Sequence, residues 1–143
     1  MDVGLYRLRD DAPVPAYQTA GAVAFDLTVP EGVRIAPHRI ALVPTGIVVA
    51  LPPGWSLAIS LRSSVPATFG VLQPHGVGLI DRDYCGQDDE IGLQLLNFTS
   101  SPADIPANTR LAKGTLLKSG QANWIPFVPR RESRGGFGTT GHS

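Results

Sequence analysis

Glycine and proline divide this chain into short segments from one end to the other. The 143 residues include 16 glycines and 13 prolines, which stand at turn-like positions and form no low-complexity tract. No segment keeps an apolar period of 3.6 residues for longer than about one helical turn. Between the turns, segments such as residues 40–50 are rich in β-branched side chains. The pattern predicts an all-β sandwich or barrel of jelly-roll type, with at most one short helical turn, at residues 65–69.

Short strands are expected to follow one another along most of the chain. Residues 100–108 are instead interpreted as a polar loop that contains proline. We expect residues 1–129 to form a single β-barrel domain, and residues 130–143 to form a glycine-rich C-terminal segment of that domain that is mobile without a ligand. The expected strands cover residues 1–9, 20–27, several segments between 33 and 61, 91–98, 110–117 and 122–128.

Charge and cysteine content exclude several classes of function. Lys plus Arg and Asp plus Glu both number 12, so the formal net charge is zero, and the basic footprint for long nucleic acid is absent. A small anion needs only local charge and remains a possible ligand. The one cysteine, Cys85, excludes an internal disulfide and fits a reducing compartment. With no apolar run of about 18 residues and no signal-like start, we expect a cytoplasmic protein without a membrane partner.

Two short cationic motifs are candidates for phosphate contacts. Arg62, Ser63 and Ser64 follow an expected strand and precede the helical turn, so a guanidinium, two hydroxyls and main-chain amides together can cradle a phosphate. The alternative is that the motif only caps the turn. Arg110 and Lys113 stand three residues apart, and in a strand they face opposite sides unless a bulge or strand end intervenes. The alternative for this pair is solvated surface charge.

A glycine-rich segment at residues 134–141 is a third candidate for binding phosphate. Glycine backbone brings amide groups close to phosphate oxygens, and Arg134 adds a bidentate donor. Phe137 stands alone among glycines, so we interpret it as a lid over a flat ring and not as a core residue. The alternative is a disordered tail.

The densest chemistry lies in residues 78–86, which read GLIDRDYCG. Glycines at both ends favour backbone that is tightly bent or closely approached, and we interpret the stretch as a hairpin. The period of two places Asp81 and Asp83 on one face and Tyr84 on the other. Asp81 is a candidate general base for a water that attacks phosphorus. The alternative is an Asp that caps a turn.

Three consecutive acids at residues 88–90 follow this stretch. We interpret them as a solvated hairpin tip, with a metal-binding cluster as the alternative. His38 and His75 do not stand at metal-ligand spacing from Cys85, so no zinc site is expected.

Five motifs, taken in order, resemble those of the homotrimeric dUTP diphosphatases, the dUTPase family, over nearly the whole chain. The resemblance implies a distorted jelly-roll β-barrel of the dUTPase type. It also implies a homotrimer in which each active site is shared between subunits. The motifs are AGAVAFDL at 20–27, RSS at 62–64, GLIDRDYCG at 78–86, RLAK at 110–113 and RGGFGTTG at 134–141.

The resemblance implies that dUTP and water give dUMP and pyrophosphate, with Mg²⁺ on the triphosphate. Asp81 would be the general base for the water that attacks the α-phosphorus. Tyr84 would pack under the deoxyribose and leave no room for a 2′-hydroxyl. Asp26 would position water around the Mg²⁺, which the phosphate oxygens would carry for the most part.

The remaining site residues implied by the resemblance contact the phosphates and the base. His75 stands where family members often carry an Asn that contacts uracil, and Lys113 stands where a Gln is usual. Arg134 is favoured over Arg131 for the γ-phosphate. The implied substrate contacts are Arg62, Ser63 and Ser64 at the phosphates, His75, Gly78, Leu79 and Ile80 at the base, Lys113 in the fourth motif, and Arg134, Gly136 and Phe137 in the tail.

Two other functions fit part of the same pattern. A dCTP deaminase, a related enzyme on the same fold, can carry a similar Arg-Ser-Ser, but we expect it to use a Glu where the amino group reacts. The Asp-x-Asp-Tyr at residues 81–84 favours the diphosphatase. A non-catalytic nucleotide-binding regulator on this scaffold is favoured only where the catalytic carboxylate is missing, and Asp81 is present.

Overall fold

The computed structural model describes residues 1–132 and residue 135. Within them lie eleven short β-strands and a single helix of five residues, so the all-β prediction is confirmed, as is the helical turn. The elements are β1 (Gly4–Arg7), β2 (Phe25–Val29), β3 (Val33–Ile35), β4 (Ile40–Pro44), β5 (Ile47–Ala50), β6 (Trp55–Leu61), α1 (Val65–Phe69), β7 (Val71–Leu72), β8 (Gly78–Ile80), β9 (Gly92–Asn97), β10 (Ala103–Ile105) and β11 (Thr109–Lys118).

All of the strand pairs are antiparallel, and they form two larger and two smaller sheets. The larger sheets have the strand orders β2-β11-β6-β8 and β4-β9-β7, and the smaller ones are the pairs β1-β5 and β3-β10. Both larger sheets contribute to one apolar core, as expected when two sheets pack face to face. Side chains that are buried almost completely include Leu27, Leu57 and Leu111 from the first of these sheets, and Val43, Val71 and Leu95 from the second.

Where β11 pairs with β2, it carries one extra residue. Arg110 pairs with Thr28, but the next paired residue of β11 is Ala112, so Leu111 forms a β-bulge. Leu111 and Ala112 are therefore both buried, whereas a regular strand would alternate. The flanking cations Arg110 and Lys113 are both exposed. The bulge places these two charges on the solvent side together, as the sequence allowed.

One predicted strand, at residues 20–27, is correct only from Phe25 onwards, and another, at residues 122–128, is wrong. Residues 20–24 form a turn and bends, since Ala22 N–H donates to Thr19 O at 3.1 Å, and alanine and glycine have low strand propensity. Residues 122–128 form no strand either. Their four large apolar side chains, Trp124, Ile125, Phe127 and Val128, are exposed, and no strand in the described part of the chain pairs with the segment.

A strand also forms where a loop was predicted. Ala103–Ile105 pairs with β3 across about 70 positions of sequence, and both Ala103 and Ile105 are buried. A further prediction, the mobile tail, falls mostly on residues 133, 134 and 136–143, which lie outside the described residues. Among the described helices, none has the length and apolar character needed to cross a membrane.

Candidate active site

One buried carboxylate brings together residues from three separated motifs. The side chain of Asp26 on β2 is 3% exposed. Arg110 on β11 donates from Nη1 to Asp26 Oδ2 at 3.1 Å, and Arg62 Nε lies 3.8 Å from Oδ1. A buried carboxylate is costly unless cations compensate it, so the two guanidinium groups explain how Asp26 is tolerated there. We call Asp26, Arg62 and Arg110 the arginine cluster.

The β-bulge is the local cause of this cluster. The main-chain N–H of Arg62 donates to the carbonyl oxygen of Leu111, the bulged residue, at 2.9 Å. This bond holds the end of β6 against β11 next to Asp26. Lys113 pairs directly opposite Asp26 in the β2–β11 register and is exposed. Four charged residues from three strands and their ends therefore meet in one small region.

The Ser residues after Arg62 keep their hydroxyl groups free of the helix. Ser64 is the N-cap of α1, but its side chain makes no capping hydrogen bond. Its main-chain carbonyl accepts from Thr68 N–H at 3.0 Å and from Thr68 Oγ1 at 2.9 Å. Both Ser63 and Ser64 are exposed. A role of this motif limited to side-chain capping is therefore excluded in this structure, and the hydroxyls remain open to a ligand.

Residues 78–86 do not form the predicted hairpin. β8 pairs with β6, and the next strand, β9, belongs to the other large sheet. Residues 81–86, which we call the carboxylate loop, form a turn in which Tyr84 N–H donates to Asp81 O at 3.2 Å. The Tyr84 hydroxyl donates to Glu90 O at 3.1 Å, and Gly86 N–H donates to Asp89 Oδ2 at 2.6 Å. Main-chain groups and neighbouring acids therefore shape the loop, and the carboxylate of Asp81 is exposed.

The acids at residues 88–90 act mainly as hydrogen-bond acceptors for backbone. Asp89 accepts from Gly86, as above, and Glu90 Oε1 accepts from Gly46 N–H at 2.6 Å. The described residues contain no group of three or more His, Cys, Asp or Glu side chains that could hold a metal ion. Asp89 thus shapes the carboxylate loop, and Glu90 fixes the chain after it to the β4–β5 turn.

Asp81 lies in an open cleft of about 830 Å³. This size lies within the range of small-molecule sites, roughly 300–1,000 Å³. The carboxylate loop contributes acidic and basic side chains to its lining, and the turn before β6 and the chain after β11 contribute the rest together with Leu79. The lining residues are Pro53, Gly54, Trp55, Ser56, Leu79, Asp81, Arg82, Asp83, Ser119, Gly120 and Gln121.

Within one chain, the cleft and the arginine cluster are far apart. Ile80, which precedes Asp81, pairs with Leu57 near the start of β6, whereas Arg62 follows the last residue of β6. About six strand residues at 3.3 Å each separate the two groups by roughly 20 Å. The structure therefore does not bring Asp81 close to Arg62, Ser63 and Ser64 within one chain.

Of the predicted base-contacting residues, Leu79 lines the cleft, and the others lie on β8 or in the turn before it. Gly78 and Ile80 are half-buried and Leu79 is exposed on β8, and His75 is exposed in the turn before this strand. β8 is the last strand of its sheet, so one edge of its backbone is open among the described residues. The predicted tail residues Arg134, Gly136 and Phe137 lie outside the described part of the chain.

Comparison with known proteins gives this arrangement of motifs a family. The family model for dUTPase matches residues 10–141. This chain belongs to the dUTPase family. The match spans almost the whole chain and includes all five motifs, and with it the predicted dUTPase-type fold is confirmed.

Relatives of known name agree with the family assignment. The chain is 36% identical to a deoxyuridine 5′-triphosphate nucleotidohydrolase of Wolinella succinogenes, covering 100% of this chain and 96% of that protein. It is 33% identical to the protein of the same name from Helicobacter pylori strain P12, covering 100% and 99%. The crystal structure of the dUTPase from Streptococcus mutans superposes with a TM-score of 0.78 at 29% identity, covering 85% of this chain and 99% of that one.

Sequence reasoning missed one member of the site. The sequence indicates Arg110 only as part of a cationic pair, yet Arg110 makes the shorter of the two ion-pair contacts to Asp26. The spacing of Arg110 and Lys113 carried the signal, because these two side chains lie on the same face of a strand only if a bulge separates them. The partner of Arg110 on β2 required the three-dimensional register.

Proposed function

We propose that this enzyme hydrolyses dUTP to dUMP and pyrophosphate at the cleft of Asp81, with that carboxylate as general base. Membership of the dUTPase family, matched over residues 10–141, is the observation that carries the activity. The exposed carboxylate of Asp81 in an open cleft supports its assignment as the base, since a general base must be reachable by the water whose proton it takes.

The mechanism assigns separate tasks to neighbouring groups of the carboxylate loop. Asp81 accepts a proton from water as the water oxygen attacks the α-phosphorus, and pyrophosphate leaves on the opposite side. Tyr84 packs its ring under the deoxyribose and excludes a 2′-hydroxyl. The open backbone edge of Gly78–Ile80 binds the uracil through main-chain groups, as an edge strand can do for an added segment. Phosphoryl transfer needs little beyond such positioning and charge neutralisation.

A divalent cation fits this site if the substrate supplies most of its ligands. Mg²⁺ prefers octahedral oxygen ligands and commonly keeps waters and phosphates around it. The carboxylate of Asp26 already contacts two guanidinium groups, so its part is limited to contact through water. When bound, the cation neutralises charge on the triphosphate. Mg²⁺ as the ion, and Asp26 as its indirect partner, remain predictions.

We further propose that the working enzyme is a homotrimer with shared active sites. The roughly 20 Å between Asp81 and Arg62 in one chain supports a site in which the arginine cluster of a second subunit meets the carboxylate loop of the first. Residues 122–128 support assembly as well, because Trp124 and Val128 are 91% and 92% exposed. Such apolar exposure marks an interaction surface. The phosphate contacts of Arg62, Ser63, Ser64 and Lys113 would then come from a neighbouring subunit.

The C-terminal segment completes the proposal. Residues 130–143 would close over the bound nucleotide, with Arg134 and the amide of Gly136 at the γ-phosphate and Phe137 over the uracil. Residues 1–129 would form the barrel that carries the rest of the site. The cytoplasm remains the predicted location, on the single Cys85, which is exposed and free.

A hydrolysis panel with Mg²⁺ tests the function directly. We expect pyrophosphate from dUTP, and much slower or no release from dCTP, dTTP and UTP. Release of ammonia from dCTP would identify a deaminase and overturn the proposal. Binding of dUTP without turnover would favour a nucleotide-binding regulator.

A further inference from the structure

We infer that Gln73 is a positioning residue that fixes the ring proton of His75 on Nδ1, so that His75 acts as a hydrogen-bond donor that selects a pyrimidine with a carbonyl at position 4. The first half of this inference, the protonated nitrogen, stands on the structure of the free chain. The second half, the selection of the base, rests on the proposed function.

A tight turn brings the two side chains together. Gly76 N–H donates to Gln73 O at 3.1 Å, and Pro74 occupies the second position of the turn, where its fixed φ is favoured. Gln73 Nε2 lies 3.1 Å from His75 Nε2. Gly78 leaves room for the pair, because a Cβ there would lie 3.3 Å from Gln73 Nε2 and 3.4 Å from His75 Nε2.

A backbone carbonyl determines which end of the Gln73 amide faces His75. Gln73 Nε2 donates to Ile59 O at 3.3 Å, and a carbonyl oxygen can only accept. Turning the amide over would place Gln73 Oε1 against Ile59 O, two acceptors facing each other. The observed orientation persists although Oε1 is buried with no hydrogen-bond partner among the described residues. The amino group of Gln73 is therefore held towards both Ile59 O and His75.

This orientation leaves a single neutral form of the imidazole ring that fits. An amide NH₂ group is a donor only, so His75 Nε2 must accept, and a neutral imidazole then carries its proton on Nδ1. His75 is exposed, and no described residue accepts a hydrogen bond from Nδ1. The ring thus presents an N–H group to solvent immediately before β8, the strand proposed to bind the base.

A donor at this place distinguishes two pyrimidines by elementary chemistry. Uracil carries a carbonyl oxygen at position 4, which accepts a hydrogen bond, whereas cytosine carries an amino group, which donates. A fixed N–H on His75 therefore favours uracil. With cytosine, this N–H would face the amino group, and two donors cannot form a hydrogen bond. An imidazole free to exchange tautomers would lose this preference, because it could accept through Nδ1.

The tautomer is measured first, on the full-length protein with ¹⁵N-labelled histidine. Long-range ¹H–¹⁵N correlations at about pH 8.5, where an ordinary imidazole is neutral, are assigned to His75 by their absence in His75→Gln. We expect the pattern of an Nδ1–H ring in the wild type and a shift towards Nε2–H in Gln73→Met. A wild-type ring with the proton on Nε2, or a pattern unchanged by Gln73→Met, would overturn the inference.

Base selection is measured second, as the ratio of kcat/KM for dUTP to that for dCTP. We expect Gln73→Met to lower the ratio roughly 3- to 10-fold, the equivalent of one neutral hydrogen bond, through a higher KM for dUTP and a nearly unchanged kcat. Gln94→Met, the same exchange at an exposed position of β9, is the matched control and should keep the wild-type ratio. An unchanged ratio in Gln73→Met would refute the selective role.

The two measurements distinguish failure of the proton assignment on His75 from failure of the proposed function. An Nδ1–H ring in a protein that does not hydrolyse dUTP would leave the assignment of the proton standing and overturn the proposed function and the base selection. Normal hydrolysis of dUTP by a protein with an Nε2–H ring would leave the proposed function standing and overturn the assignment of the proton.

Discussion

The arginine cluster and the carboxylate loop lie at opposite ends of β6 and are held in opposite ways. In the cluster, the carboxylate of Asp26 is buried and two guanidinium groups compensate it. In the loop, the carboxylate of Asp81 is exposed, and hydrogen bonds of the surrounding chain shape the turn instead. One chain thus carries a compensated charge unit at one end and an acid still open to a reactant at the other. In the proposed shared site, each region would meet its complement on another copy of the chain.

Loss of the open carboxylate should have the largest effect. We expect Asp81→Asn to lower kcat for dUTP by about 10²- to 10⁴-fold, because an amide cannot take the proton of the attacking water. The melting temperature should hardly change, since the side chain is exposed. Pyrophosphate release measures the rate, and Asp88→Asn, another exposed acid, is the control that should keep wild-type turnover. Full activity in Asp81→Asn would remove the proposed base.

Mixing two inactive variants should reveal whether the two regions meet between chains. We expect Asp81→Asn and Arg62→Ala each to be nearly inactive. Trimers assembled from an equal mixture should recover about one quarter of the wild-type activity, since in that share of shared sites both contributing copies supply an intact residue. The measurement is dUTP turnover after joint unfolding and refolding.

The same mixture also has a clear contrary outcome. If Asp81 and Arg62 of one chain served the same site, every site would carry one defect and no activity would return. Refolding each variant alone is the control, and it should give no recovery.

Removal of the C-terminal segment tests whether the cleft at Asp81 needs this segment to close over the bound nucleotide. We expect deletion of residues 134–143 to leave a folded protein whose turnover of dUTP falls by about tenfold or more, because closure excludes water and completes the phosphate contacts. Circular dichroism and the melting temperature report on folding, and pyrophosphate release reports on turnover. Undiminished activity would contradict the lid.

A substitution in the arginine cluster should lower the stability of the folded protein. We expect Arg110→Met to lower the free energy of unfolding by about 1–2 kcal/mol, less than for a fully buried pair because Arg110 is 46% exposed. The buried Asp26 would keep only Arg62, at 3.8 Å. Denaturant unfolding measures the change. Arg34→Met, which breaks an ion pair with Asp104 that is exposed on both sides, should cost about 0.5 kcal/mol or less.

The surface ion pair of Arg9 and Asp11, whose side chains are 38% and 62% exposed, should show the smallest effect. The guanidinium of Arg9 lowers the pKa of the Asp11 carboxyl through hydrogen bonding. Because the folded pKa lies below the unfolded one, the stabilisation is present above the ordinary Asp pKa and is lost as the pH falls through the folded value. Asp11→Asn should therefore lower the melting temperature by about one degree or less at neutral pH. This difference should shrink as the pH falls below the ordinary Asp pKa, and melting curves recorded in steps from about pH 7 to about pH 2 check it.

Local signals predicted much of the fold, and partners distant in sequence account for the failures. The cores of β6, β9 and β11 and the helix at Val65–Phe69 follow from alternation and from the turns beside them. β10 was missed because its partner β3 lies about 70 residues away. At residues 122–128 a strand was predicted but is not formed, because their apolar residues suit a strand although none of the described strands pairs with them.

The site was predictable in its residue types and less so in its contacts. Motif order was enough to name Asp81, Arg62 and their neighbours, and to identify the family. The contact of Arg110 with Asp26 depends on a bulge, and sequence alone does not show which residue of a strand is the extra one. The pairing of Gln73 with His75 depends likewise on a turn and on a carbonyl of another strand.

The extra residue in β11 has a consequence for how this strand can change over time. Substitutions near Leu111 keep the count of residues and therefore the faces on which they lie. Losing Leu111 itself would convert the bulge to regular pairing, with Arg110 outward, Ala112 inward and Lys113 outward as they lie now. Losing a residue after the bulge, such as Thr115, would instead exchange the faces of all later side chains of the strand. Strand β11 can therefore lose a residue at Leu111 without a change of register, at the cost of a buried side chain, but not further along.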